Sequence, residues 1–226
     1  RISVLGHLPD TQEPGHTAFH HTAVDPIEKA VTVIQALQDF NSSRGDHVHH
    51  PALHEAIGRS TNLHISYVNC GKEHMLRRVS SECVLAGSIT LIPGESLLDT
   101  QLQISRVVET VASKDAWLTK HPPKLDWLAG SRGAEIPRDH ALYKTTKSAI
   151  TELTHEEPHQ NPLHIESDIR HPILYGDIPT VGLGPKGGSL TQTGHHDEWV
   201  DLHESLMTIK VLSAIIIDWC GVSPVP

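Results

Sequence analysis

The chain has 226 residues with 27 acidic against 18 basic side chains, a formal charge of −9 with histidine neutral. That length allows one large domain or two small ones with separate cores. The acidic excess opposes binding to phosphate backbones and anionic bilayers, so nucleic acid and membrane are not expected partners.

No apolar run reaches the length needed to span a bilayer. Nineteen histidines mean that the net charge moves toward zero on mild acidification. Cys70, Cys83 and Cys220 are odd in number and form no Cys-x-x-Cys pair. A reducing compartment or buried free thiols are expected, with the compartment taken as the cytoplasm.

In chain order, Ile2 to Leu8 is a predicted strand. Asp25, Pro26 and Glu28 have the form of a helix start, with Asp25 as cap, Pro26 in the first turn and Glu28 reaching back. Ile27, Ala30, Val31, Ile34 and Leu37 recur at helical spacing and predict one apolar face. Two alternating runs follow, Leu63, Ile65, Tyr67 and then Cys83, Leu85, Gly87, Ile89, Leu91, each placing every second residue on one side of a sheet. After Pro93 and Gly94 a second helix is predicted to bury Leu98, Leu102, Val108 and Val111, and a last strand begins at Leu125 to Trp127. Two helices on one face of a four-stranded antiparallel sheet make a ferredoxin-like layer.

From about Gly130 the pattern changes. It predicts a helix near Asp139 to Leu153, strands around Leu163 to Ile169 and Pro179 to Leu183, and a final helix from Leu202 to Trp219. Asp201 and Glu204 form a capping box, and Gly221 supplies the stop. Ile215, Ile216 and Ile217 in succession imply burial on more than one side. This region is expected to complete a sheet whose other strands lie outside the chain.

Chemistry concentrates late. Asp168, Ile169 and Arg170 are followed by a loop through Gly182, Gly184 and Pro185, and then by His195, His196, Asp197, Glu198, Trp199 and Val200. Arg170 carries a planar fork suited to a carboxylate, although an ion pair with Asp168 or Glu166 would satisfy it equally. His195 and His196 beside carboxylates suit zinc, with the second ring nitrogen oriented by an acceptor; the alternative is that both satisfy loop backbone. Gly182, Gly184 and Gly187 match a G-x-G-x-x-G pattern. Pro185 and the Gly188-Ser189 pair argue against the helix such a nucleotide site needs, and favour a loop whose backbone N–H groups approach a substrate. His47, His49, His50 and His54 read as a solvated loop and helix start, and Arg44-Gly45-Asp46 as a coincidence.

These late motifs, together with Gly15, His16 and Thr17 near the front, resemble the acetylornithine deacetylase, aminoacylase and carboxypeptidase family of dinuclear zinc hydrolases. The resemblance implies that one of His195 and His196 holds the second zinc; the spacing is about one residue shorter than the commonest pattern, so both stay candidates. It implies that Arg170 binds the carboxylate of an acylated amino acid or peptide and that the loop at Gly184 approaches substrate. It also implies that His16 reaches across a dimer to donate to the oxyanion of a tetrahedral intermediate, with His20 as the fallback, where the residues alone suggest a polar surface turn. His74 stands where the family often has asparagine, and Thr90 where it usually has arginine.

In that family most metal ligands and the general base lie in an N-terminal half, in a His-x-Asp strand end, a Gly-rich Asp segment and a Glu-Glu pair. Here the one His-x-Asp match, His195-His196-Asp197, falls in the late motif rather than in an N-terminal half, and Glu156-Glu157 falls late in a polar stretch. The chain is therefore read as the C-terminal part of a longer enzyme, or a natural remnant of one. The expected class is α/β (α+β): a ferredoxin-like lid or dimerisation domain over residues 1–129, then the C-terminal portion of a zinc-hydrolase catalytic domain over 130–226. The expected function is hydrolysis of an amide bond in an N-acyl amino acid or small peptide by a zinc-dependent homodimer, inactive as this chain alone. A missing N-terminal fragment is the further partner. The alternative is a non-catalytic binding or dimerisation protein that keeps the fold without the metal centre.

Overall fold

In a computed structural model that describes residues 1–163, 167–188 and 199–222, the chain divides into two compact units, Arg1–Gly133 and Ala134–Pro226. The first unit contains β1 (Ile2–Leu5), α1 (Pro26–His47), the short α2 (Pro51–Ile57), β2 (Leu63–Cys70), β3 (Glu82–Ile89), α3 (Leu97–Ala112) and β4 (Lys124–Leu125). The strands pair antiparallel in the order β2-β3-β1-β4, and α1 and α3 pack over the core, as the ferredoxin-like reading requires. The first and last strands are shorter than their sequence patterns suggested.

α1 starts where its signals place it: the Asp25 side chain accepts from the Ile27 N–H, and Pro26 occupies the first turn. The buried stripe, however, is Ala30, Val33 and Leu37, while Ile27 and Val31 are exposed. In α3 the stripe is Thr100, Ile104, Val108 and Ala112, with Leu98 and Leu102 exposed. Both helices carry two adjacent apolar stripes. Contact with the sheet selects one of them, which helical periodicity cannot do by itself.

β2 shows why alternation fails at Tyr67. A bulge between Ile65 and Tyr67 inserts Ser66 and shifts the following residues to the opposite faces. Tyr67 is therefore half-exposed rather than core-facing. The partner at the bulge is Gly87, where an added Cβ would lie 2.1 Å from the His64 carbonyl oxygen. Only glycine fits there.

Cys70 and Cys83 lie opposite each other on β2 and β3 with Cα atoms 4.4 Å apart, and they form a disulfide. This corrects the expectation of free thiols. Their sequence separation of 13 does not reveal the strand register that pairs them. Cys220 is free and exposed.

Arg44 is buried and bidentate to Glu95, at 2.6 and 2.7 Å, while its Nε donates to Thr61 Oγ1 at 3.1 Å. Glu95 also accepts from the Ile92 N–H at 2.8 Å, in the turn where Gly94 takes φ 87°. Arg44 is thus a staple from the end of α1 to the turn before α3. The histidine-rich stretch behaves as read: His50 caps α2, accepting from the Leu53 N–H.

The second unit holds α4 (Ala141–Thr154), α5 (Arg170–Gly176) and α6 (Leu202–Cys220), with α4 against α6. α4 lies where a helix near Asp139 to Leu153 was expected, and His140 caps it. Asp201 accepts from the Glu204 N–H and Gly221 follows α6 with φ 73°, matching the stop and start signals. The two strands expected here are corrected. Residues 167–169 turn into α5, and 177–186 form no ladder; 164–166 lie outside the described residues. A strand needs a partner, and these segments have none among the described residues. On α6, Val211 is buried but Ile216 and Ile217 are 60% and 51% exposed, so burial of the isoleucine triplet on several sides is also corrected.

Candidate active site

His16 begins at the level of backbone. It precedes a 3-10 turn over Thr17–Thr22, its N–H donates to the Arg77 carbonyl at 2.7 Å, and its Nδ1 accepts from the Val79 N–H at 3.2 Å. The residue is 5% exposed, so it is no surface turn. An accepting Nδ1 leaves the proton of a neutral ring on Nε2, the tautomer in which that nitrogen donates. Arg77 and Val79, whose backbone groups hold His16, were not singled out by sequence. Backbone partners leave no residue-type signal.

His20, the fallback, has Nε2 3.4 Å from Asp25 Oδ2 and is largely exposed. It is tied to the cap of α1. His74 lies in a short 3-10 turn, Glu73–Met75, of the same β2–β3 segment, and the Thr90 hydroxyl accepts from the Asn62 N–H.

Arg170 opens α5. One terminal nitrogen donates to the Ser167 carbonyl at 3.0 Å, and its Nε is buried with no hydrogen-bond partner among the described residues. Asp168, a rival partner in the sequence reading, is 91% exposed in its side chain and lies 3.8 Å from His171 Nδ1 instead. The other rival, Glu166, lies outside the described residues. A buried guanidinium N–H without an acceptor is costly, so this one is suited to an anion.

Gly184 sits in the irregular stretch after α5, with open space where a Cβ would be and no positive φ. The loop downstream is gathered at its base. Gly187 bridges Val200, the Gly188 N–H donates to the Trp199 carbonyl at 2.9 Å, and the Asp201 N–H to the Lys186 carbonyl at 2.9 Å. His195 and His196 lie between these anchors and outside the described residues. Among the described residues no three of His, Cys, Asp and Glu gather as a metal site.

The fold, a ferredoxin-like unit and a second, helical unit, is shared with known proteins. The sequence is 22% identical to an acetylornithine deacetylase of Photorhabdus laumondii over 222 residues, which is 95% of this chain and 52% of the relative. The structure matches an aminopeptidase from Bacillus cereus with TM-score 0.67 and 16% identity, over 97% of this chain and 51% of that one. It matches an M20 family metallo-carboxypeptidase from Sulfolobus solfataricus with TM-score 0.62 and 10% identity, over 95% and 57%. A di-peptidase from Saccharomyces cerevisiae gives 0.60 and 12%, over 99% and 54%. No family model matches the sequence. The resemblance to the acetylornithine deacetylase, aminoacylase and carboxypeptidase family therefore extends through both units. The chain spans about half the length of the proteins it matches.

Proposed function

We propose that this chain is the C-terminal portion of a zinc-dependent amidohydrolase that cleaves an amide bond in an N-acyl amino acid or small peptide, as a homodimer. In this reading residues 1–129 are the lid and dimer edge, and 130–226 belong to the catalytic domain. His16 donates from Nε2 to the developing oxyanion, Arg170 binds the substrate carboxylate, and the loop at Gly184 offers backbone N–H groups. One of His195 and His196 holds zinc, which when bound polarises the carbonyl and activates water. The remaining ligands and the base come from the half that the relatives have and this chain lacks.

The observation that carries the reading is the buried, unpartnered Nε of Arg170 within the motif that the resemblance assigns to carboxylate binding. The compartment proposed from sequence is the cytoplasm, against which the Cys70–Cys83 disulfide counts. A Cys70–Cys83 disulfide recovered from cells whose thiols were blocked before lysis would move it to an oxidising one.

The test restores the N-terminal half. The 226-residue chain and the restored protein are compared for zinc content after dialysis and for hydrolysis of N-acetyl amino acids and dipeptides. The expected result is tight zinc and turnover in the restored protein and neither in the chain alone. A restored protein without zinc or turnover would favour the non-catalytic binding protein.

A further inference from the structure

His16 is held by a stretch of chain that is itself weakly held. Its N–H donates to the Arg77 carbonyl at 2.7 Å and its Nδ1 accepts from the Val79 N–H at 3.2 Å, both in the connection between β2 and β3. Residues 71–78 of that connection are exposed, with Leu76 at 87%, so none of them is anchored by apolar burial. At its far end the connection is fastened to β1, where the Gly6 N–H donates to the Ser81 carbonyl at 2.8 Å. Its near end leaves β2, the edge strand of the order β2-β3-β1-β4.

Past the bulge, Tyr67, Val68 and Asn69 of β2 are all exposed. They pair with β3 on one side, and that ladder ends at Cys70 opposite Cys83. The end of an edge strand with so little burial is the kind of segment that opens at low cost. The Cys70–Cys83 disulfide closes it, at the mouth of the connection that carries Arg77 and Val79. Cys83 is fully buried within the core, so the bond ties the exposed end of β2 to a firmly packed strand.

We infer that the Cys70–Cys83 disulfide is a redox-sensitive clasp for His16: closed, it keeps Arg77 and Val79 where they fix the ring, and open, it releases the connection and the ring together. Opening takes a dithiol reductant. Its thiolate attacks the sulfur of Cys70, which is partly exposed where Cys83 is not. The bond between the two protein sulfurs breaks, a mixed disulfide forms at Cys70, and the Cys83 sulfur leaves as a thiolate that takes up a proton. The second thiol of the reductant then displaces the Cys70 sulfur, which is protonated in turn. The reductant ends as a disulfide, and the chain has gained two electrons and two protons. The bearing of the clasp on turnover rests on the hydrolase reading, in which His16 donates from Nε2. Its hold on the ring does not.

The test uses the 226-residue chain with Cys220→Ser, which leaves Cys70 and Cys83 as its cysteines. Samples oxidised or reduced with dithiothreitol are compared by NMR at about pH 8, where an ordinary imidazole is neutral. The resonances of the two His16 ring nitrogens are read because an accepting Nδ1 and a protonated Nε2 lie far apart, whereas a freed ring averages them. The amide of Val108, buried on α3, reports whether the unit stays folded. Reduction should draw the two ring resonances together and speed hydrogen exchange at the Val79 amide by roughly tenfold or more, with the Val108 resonance in place. Cys70→Val with Cys83→Ala, which fills the site without a bond, should resemble the reduced chain and ignore the reductant. Ring resonances that do not move, even with faster exchange at Val79, overturn the inference, because the bond then stabilises the unit without positioning His16. Two free thiols in the oxidised sample, or a double variant whose ring matches the oxidised parent, also overturn it. So does loss of the folded Val108 resonance in both the reduced chain and the double variant, which would make the bond a requirement for folding instead.

Discussion

In the first unit Val4, Val33, Leu85, Val108 and Leu118 are at most 2% exposed and come from two strands, two helices and the turn after α3. In the second, the buried hydrophobic residues among those described are Ala149 and Val211, while α6 leaves Leu202, Leu206, Ile209 and Ile216 at least 60% exposed. One unit closes a core around its own sheet. The other consists of helices whose apolar faces have no sheet among the described residues to cover them. A sheet needs several strands to be stable, and the chain covers about half of the relative it matches.

The largest expected effect that would break the comparison is at Arg44. Replacing it with alanine leaves the Glu95 carboxylate in a mostly buried place without its cation, and should destabilise the first unit by about 3–5 kcal/mol. Arg44→Met combined with Glu95→Gln should recover much of that loss, measured by chemical denaturation. If Arg44→Ala costs no more than a surface substitution, the staple is not structural.

Next is a matched pair of truncations. Leu85→Ala removes a fully buried side chain from the central strand and should cost about 2–5 kcal/mol. Leu206→Ala on exposed α6 should change stability within about 0.5 kcal/mol. Equal costs would mean that the α6 face is covered in solution by something in the chain itself.

The ferredoxin-like layer was legible because it is built from local signals: the Asp25 cap, two alternating runs and two amphipathic stretches. What sequence missed depended on non-local geometry. The bulge at Ser66 exposed Tyr67, two apolar stripes competed on each of α1 and α3, and the Cys70–Cys83 pairing followed from register. In the second unit the cap and stop of α6 were legible, but the strands were not realised, since a strand pattern with no partner among the described residues has nothing to bond. At the candidate site the types His16 and Arg170 were legible by motif. Their states, a buried ring held by Val79 and a guanidinium nitrogen without an acceptor, were not, because both depend on backbone groups and burial.

That unpartnered nitrogen gives the third test, made in the restored full-length protein. Arg170→Lys keeps the charge but loses the fork, so substrates with a free carboxylate should lose about 1–3 kcal/mol in kcat/KM while neutral amides change little. Equal loss for both classes would reduce Arg170 to support for the turn at Ser167.

The smallest expected effect compares ion pairs in the two units. Lys29 donates to Asp115 Oδ2 at 2.7 Å, while Asp115 Oδ1 accepts from the Trp117 and Leu118 N–H groups at 2.8 and 3.0 Å. The Lys29 hydrogen bond, followed by the Leu118 N–H, holds the Asp115 carboxyl below its ordinary value against a smaller opposing effect of burial. Because the folded value lies below the unfolded one, the stabilisation is present above the unfolded pKa, about 3.9, and is lost as pH falls through the folded value. Asp115→Asn keeps an oxygen for Trp117 and Leu118 but loses the charge. It should cost less than about 1 kcal/mol at neutral pH and flatten the decline in stability below pH about 4. In the second unit Lys147 and Glu157 are 2.9 Å apart and both well exposed, so Glu157→Gln should leave the same curve unchanged. A stability curve for Asp115→Asn that parallels the parent at every pH would remove Lys29–Asp115 from the account of the first unit's acid sensitivity, because the charge would then contribute nothing that the amide does not.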